Sequence, residues 1–108
     1  MSEPIKILNQ LKKNLKEVLG NRIQKVILFG SRIKNEENEY SDLDVLIVTD
    51  KIFSWKEKNI IRDICFDISV DYEILVDSKI ISQEEIDTKF WGKHPLITDA
   101  LKSGVYAD

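Results

Sequence analysis

Only one cysteine, one histidine and two prolines occur among the 108 residues. A lone thiol, Cys65, excludes an internal disulfide and a cysteine-built zinc site. It lies among apolar residues at helical spacing and reads as a small buried hydrophobe. Excess basic charge is also missing. The formal net charge is −3, which argues against non-specific attachment to a nucleic-acid backbone. Lys12, Lys13, Lys16, Arg22 and Lys25 do cluster, and they read as a solvated helix face. No apolar run approaches the ~18–20 residues that span a bilayer, and no secretory segment opens the chain. No membrane association and a cytoplasmic location are therefore expected. Repeats, low-complexity tracts and linkers are absent, and the length suits one core rather than two. Residues 1–108 are expected to form a single domain.

What is present is an ordinary globular balance, 43% apolar and 32% charged residues, arranged with clear periodicity. Pro4 followed by Ile5, Leu8, Leu11, Leu15, Val18 and Leu19 predicts an amphipathic helix, stopped by Gly20 as a left-handed cap. A strand follows at about Gln24–Phe29, whose apolar run predicts burial on both faces. A second strand runs from about Leu43 to Thr49. Ser54 and Glu57 form a capping box, and Ile60, Ile61, Ile64, Cys65 and Ile68 trace the inner face of the helix it starts. A third strand is expected at Val70–Val76. A second capping box, Ser82 with Glu85, starts a helix carrying Ile86 and Phe90. Pro95 opens a last helix with Leu96, Ile97, Ala100 and Leu101, closed by Ser103-Gly104. This order predicts an α/β (α+β) fold, a small mixed sheet covered by helices.

The chemistry concentrates in Val26–Asp50. Gly30-Ser31 closes the first strand, and Ser41-Asp42-Leu43-Asp44 opens the second. Side chains alternate along a strand, so Asp42 and Asp44 point to one side. Two carboxylates so placed repel unless a cation intervenes. Glycine allows close backbone approach, and a serine hydroxyl with its neighbouring N–H groups suits a phosphate oxygen. Asp71 and Glu73, two residues apart on the expected third strand, supply a further carboxylate. Magnesium takes oxygen ligands from one or two carboxylates and substrate phosphates, and paired ions can clamp an in-line displacement at phosphorus. A third, unprotonated carboxylate can accept a proton from an attacking hydroxyl.

Strand, Gly30-Ser31, Asp42-x-Asp44, strand: this ordered set closely resembles the signature of the nucleotidyltransferase superfamily related to DNA polymerase beta, and more narrowly its minimal nucleotidyltransferase domains. The ending Gly104-Val105-Tyr106 is also similar to small members. The resemblance implies the palm-like nucleotidyltransferase fold and transfer of a nucleoside monophosphate, AMP from ATP, to a hydroxyl of a protein or small molecule. It implies a triphosphate contact by Gly30 and Ser31, with Arg32 and Ser41 beside the nucleotide, and one or two Mg²⁺ ions on Asp42 and Asp44. The third acidic ligand it implies is Asp71 or Glu73, which spacing does not separate. Larger members carry an acceptor-binding domain, so the acceptor surface here is expected from another subunit or a separate protein. In setting, minimal members resemble antitoxins paired with a helical HEPN-type protein. Neutralisation of such a partner by binding alone is the second reading.

A sugar transferase with an Asp-x-Asp motif normally needs a larger domain, and an EF-hand fails for want of a correctly spaced glycine and closing glutamate. His94, before Pro95, is expected to cap or border a helix. Trp55, Phe90 and Trp91 are expected to pack on the sheet or at a subunit contact rather than stack on a base.

Overall fold

In the computed structural model, which describes residues 3–29, 43–88 and 90–108, a four-stranded sheet of order β3-β2-β1-β4 carries helices on both faces. Helix α1, Glu3–Leu19, comes first. Its buried stripe is Ile7, Leu8, Leu11 and Leu15, a run at the helical period. Val18, expected inside, is exposed, because the last turn presents Leu19 to the core instead. Gly20 has φ +60, the left-handed stop expected of it, and a 3₁₀ turn at Gly20–Arg22 leads into the sheet.

Strand β1, Ile23–Phe29, pairs antiparallel with β2, Leu43–Thr49. Both are buried on two faces, as their unbroken apolar runs require. Val26, Leu28, Val45 and Ile47 join α1 in one core cluster, while Ile27, Leu46 and Val48 join a second cluster on the opposite face. Helix α2, Trp55–Tyr72, begins at the expected capping box: Ser54 Oγ accepts from the Glu57 N–H at 3.3 Å and the Ser54 N–H donates to Glu57 Oε1 at 2.9 Å. Its inner residues Ile61, Cys65 and Ile68 complete the first cluster.

The structure corrects the expected third strand. Val70–Tyr72 is helical, and β3 is Val76–Ser82. The spacing Ile61, Cys65, Ile68, Tyr72 continues at four and three residues, and Tyr72 packs against the core. Tertiary packing of that stripe outweighs the local β preference of the valine and tyrosine. Glu73 then adopts φ 55, ψ 42, the left-handed position normally given to glycine. The Glu73 N–H donates to Val70 O at 3.4 Å and the Ile74 N–H to Ser69 O at 3.1 Å, closing the helix. The Ser69 hydroxyl donates to Cys65 O at 2.9 Å and accepts from the Val76 N–H at 3.0 Å, fixing where β3 starts.

β3 runs parallel to β2, joined by α2 as the crossover that a parallel pair needs. Ser82 caps the one-turn helix α3, Gln83–Ile86, through the expected box with Glu85. This helix is shorter than expected and Phe90 is exposed. The chain turns back instead through a 3₁₀ turn at Trp91–Lys93. A Cβ at Gly92 would stand 2.2 Å from Ile86 O, so the return depends on glycine. Helix α4, Pro95–Ser103, is capped by His94, whose Nδ1 accepts from the Leu96 N–H at 3.2 Å. Ile97 and Ala100 pack on Ile27, Leu46, Val48 and Ile81 to form the second cluster. Gly104 lets the chain pass Ile27 into β4, Val105–Tyr106, which pairs antiparallel with β1. No helix among the described residues is long and apolar enough to cross a membrane.

Candidate active site

Gly30, Ser31, Arg32, Ser41 and Asp42 lie outside the described residues. Their flanks are described. Phe29, at the end of β1, is the register partner of Asp44 at the start of β2. The chain therefore leaves and re-enters the sheet at neighbouring points.

Across β2, Asp44 is also the register partner of Asp77 on β3. Register partners in a parallel pair project to the same face, with strands about 4.8 Å apart. That face is set by alternation. Leu46 and Val48 on β2 and Ile81 on β3 belong to the cluster beneath α4, so Asp44 and Asp77 lie on the α4 side, beyond the edge of that cluster. Asp44 is half-buried and Asp77 has 46% of its side chain exposed. Lys79, next on the same face of β3, holds its Nζ 3.8 Å from Asp77 Oδ2. So exposed a pair contributes little stability, and it places a mobile positive charge beside the carboxylates.

Asp71 and Glu73 stand elsewhere. Asp71 is in the last turn of α2 and Glu73 is its left-handed cap, so neither shares a strand with the site. The carboxylate that the sheet brings to Asp44 is Asp77, which the sequence reading passed over. A signal was available: the helical spacing through Tyr72 and the capping box at Ser82 together confine the strand to the residues between. Among the described residues no group of three or more metal-ligating side chains assembles. Asp44 and Asp77 form a pair of oxygen donors on one face, which fits a hard divalent cation in its donor chemistry.

A pocket of about 320 Å³ adjoins this pair on the same side of the sheet. Leu46 and Ile81 line it from the sheet and Leu96 and Ile97 from α4, with Lys79, Glu85 and His94 as its polar groups. The other charged cluster sits at the far end of β1 and β2. Arg22 pairs with Glu57 and, at 3.6 Å, with Asp50, and its guanidinium lies 4.3 Å from the centre of the Phe53 ring. The Ser54 backbone N–H and then the Arg22 side chain hold the Glu57 carboxyl below its usual range. This cluster ties the start of α2 to the sheet and is remote from Asp44. Burial pushes the Cys65 thiol up to about 11, which makes it a packing residue and not a nucleophile.

Two proteins of Methanocaldococcus jannaschii, both named putative protein adenylyltransferases, are similar to this chain. One is 39% identical over 88 residues, spanning 82% of this chain and 88% of its own length. The other is 31% identical over 90 residues, spanning 82% of this chain and 85% of its own length. The profile described as the nucleotidyltransferase domain matches residues 6–106. With paired carboxylates on adjacent strands of a mixed sheet and a match over nearly the whole length, this chain belongs to the nucleotidyltransferase domain family and is a transferase.

Proposed function

We infer that this nucleotidyltransferase moves AMP from ATP to a hydroxyl on a protein or small molecule in a Mg²⁺-dependent reaction. The observation that carries the reading is the register of Asp44 with Asp77, at the end of the sheet where β1 leads into Gly30-Ser31. Asp44 and Asp77, with Asp42 from the same motif, are the residues to hold magnesium. When bound, the ion neutralises the triphosphate and polarises its oxygens.

The remaining chemistry belongs to the chain. Asp77 takes the place of the third carboxylate, in preference to Asp71 or Glu73, and accepts the proton of the acceptor hydroxyl. The acceptor oxygen forms a bond to the α-phosphorus. The bond from that phosphorus to the bridging oxygen breaks, and pyrophosphate leaves with the electron pair. Gly30 and Ser31 hold the triphosphate tail, with Arg32 and Ser41 beside it. Positioning and charge neutralisation supply most of the rate in such transfers.

A protein acceptor is supported by the outer face of α2, where Trp55, Phe66 and Val70 stand 69%, 68% and 59% exposed at helical spacing. Apolar residues so displayed favour a protein partner. A helical HEPN-type protein, in an antitoxin pairing, is the partner proposed, and neutralisation by contact alone would use the same face. A cytoplasmic setting is proposed with it, in keeping with ATP as the proposed donor.

The test is transfer of label from α-labelled ATP with Mg²⁺ to candidate partners, using Asp44→Asn and Asp77→Asn as controls. Labelling that is lost in both variants supports the reading. Equal labelling in wild type and variants overturns it.

A further inference from the structure

We propose that two copies of this chain join edge to edge through β3, antiparallel and centred on Ser78, so that Asp77 of each copy faces the partner's Lys79. Such a pairing follows from the sheet alone and goes beyond the transfer reading. β3 is the outer strand at its end of the sheet. The Leu43 N–H donates to Leu75 O at 2.8 Å, so Leu75, Asp77, Lys79 and Ile81 turn their backbone groups toward β2. The residues between them turn theirs outward. The outward Val76 N–H is engaged by Ser69 Oγ and the outward Ser82 N–H by Glu85 Oε1. Among the described residues nothing pairs with the N–H and C=O of Ser78 and Ile80. Open groups in such a row are a template for another strand. β3 holds no proline or glycine, and its register with β2 is unbroken, so nothing bends that edge away.

Charge selects both the partner and the register. A lysine on an outer strand ordinarily keeps other strands off. Here Asp77, on the same face as Lys79 and 3.8 Å from its Nζ, supplies the match in a second copy. Centring the two-fold on Ser78 sets each Asp77 opposite the partner's Lys79 as a non-hydrogen-bonded pair, with Cα atoms about 4.5 Å apart and side chains closest. Each Ser78 N–H then donates to the carbonyl of the partner's Ser78. Each Ile80 N–H donates to the carbonyl of the partner's Val76, and the engaged Val76 N–H is undisturbed. Centring on Lys79 would set lysine against lysine, and centring on Ile80 would set Lys79 against an isoleucine. The Ser78 register also brings the exposed Leu75 opposite the partner's Ile81. It places the partner's Lys79 on the face that Asp44 and Asp77 share, so each copy adds a cation to the other's carboxylate pair.

Sedimentation equilibrium over a concentration series, beside thermal melts, tests this with the full chain. Wild type is expected to dimerise. Asp77→Lys and Lys79→Asp each put like charges opposite one another in both pairs and are expected to weaken the dimer at least about tenfold. The double reversal, Asp77→Lys with Lys79→Asp, is expected to restore it. A wild type that stays monomeric at millimolar concentration overturns the proposal. So does a dimer that survives either single reversal, or one that the double reversal does not restore. Should a variant fail to melt cooperatively, amide exchange of wild type decides. Dilution is expected to speed exchange at Ser78 and Ile80 and to leave Asp77 and Lys79, bonded to β2, unchanged. No effect of dilution, or an equal effect on all of these amides, overturns the pairing. None of these measurements uses nucleotide, so their failure and that of the transfer reading are distinct results.

Discussion

Asp44 and Asp77 occupy the same register position on parallel neighbouring strands, with the whole of α2 between them in the chain. Two anions on one face, beyond the apolar cluster and beside Lys79, form a feature that packing alone does not require. Removing either carboxylate is expected to leave the fold intact and to disable the chemistry. Since losing even a supporting partner of a metal ligand costs about 10–100-fold, Asp44→Asn and Asp77→Asn are each expected to reduce AMP transfer by at least about 100-fold with unchanged melting. Asp71→Asn is expected to keep wild-type transfer. A radiolabel assay beside a thermal melt checks all three.

Glu73 holds a backbone conformation that L-residues adopt at a cost. Glu73→Gly is expected to stabilise the protein by about 1 kcal/mol, seen as a higher urea midpoint, and to leave transfer unaltered. A drop in transfer would return Glu73 to the list of ligands.

Gly104 has the opposite requirement. A Cβ there would stand 2.4 Å from both Ala100 O and Ile27 Cγ2. Gly104→Ala must push α4 away from β1, and overpacking of this kind costs about 1–3 kcal/mol. Denaturant titration should show that loss, and the α4 side of the pocket should shift with it in methyl spectra.

Cys65 makes two linked expectations. Its thiol is buried and its pKa in the folded protein, about 11, lies above the ordinary value of 9.0. A folded pKa that is raised means stability fully present below pH 9.0 and lost as pH rises through about 11. Thiol-reactive dye should label the native protein slowly at neutral pH and rapidly in urea. Cys65→Ala should lessen the alkaline loss.

At the acidic end the sign reverses. Glu57 is held below its ordinary value of 4.5, so its contribution is present above that pH and fades as pH falls through the lower, folded value. Glu57→Gln is expected to flatten the acid limb of the stability curve, as followed by circular dichroism at stepped pH.

Strong, local signals made most of this architecture legible. Ser54 with Glu57 and Ser82 with Glu85 marked two helix starts to the residue, and Gly20 marked a helix stop. The apolar runs of β1 and β2 announced strands covered on both sides. What failed was the stretch after Ile68, where Val70, Tyr72 and Ile74-Leu75-Val76 read as β-formers. The helical spacing through Tyr72 competed with that β signal, and the contact of Tyr72 with the core shows that the helix goes on. The third strand moved with it, from Val70–Val76 to Val76–Ser82, and Asp77 was missed for that reason. Phe90 similarly followed helical spacing from Ile86, yet the close approach of Gly92 to the Ile86 carbonyl turns the chain away. Asp44 was singled out by its motif, whereas its pairing with Asp77 is a matter of strand register, seen only in the assembled sheet.

The β2–α2–β3 connection has a thermodynamic consequence. A ligand gripping Asp44 and Asp77 together fastens both ends of one long chain segment, and that clasp vanishes when α2 melts. Nucleotide concentration and unfolding temperature are then coupled by mass action, about 2.7 kcal/mol at a hundredfold excess over Kd. Saturating substrate should therefore slow amide exchange throughout the interior of α2, far beyond the atoms it touches.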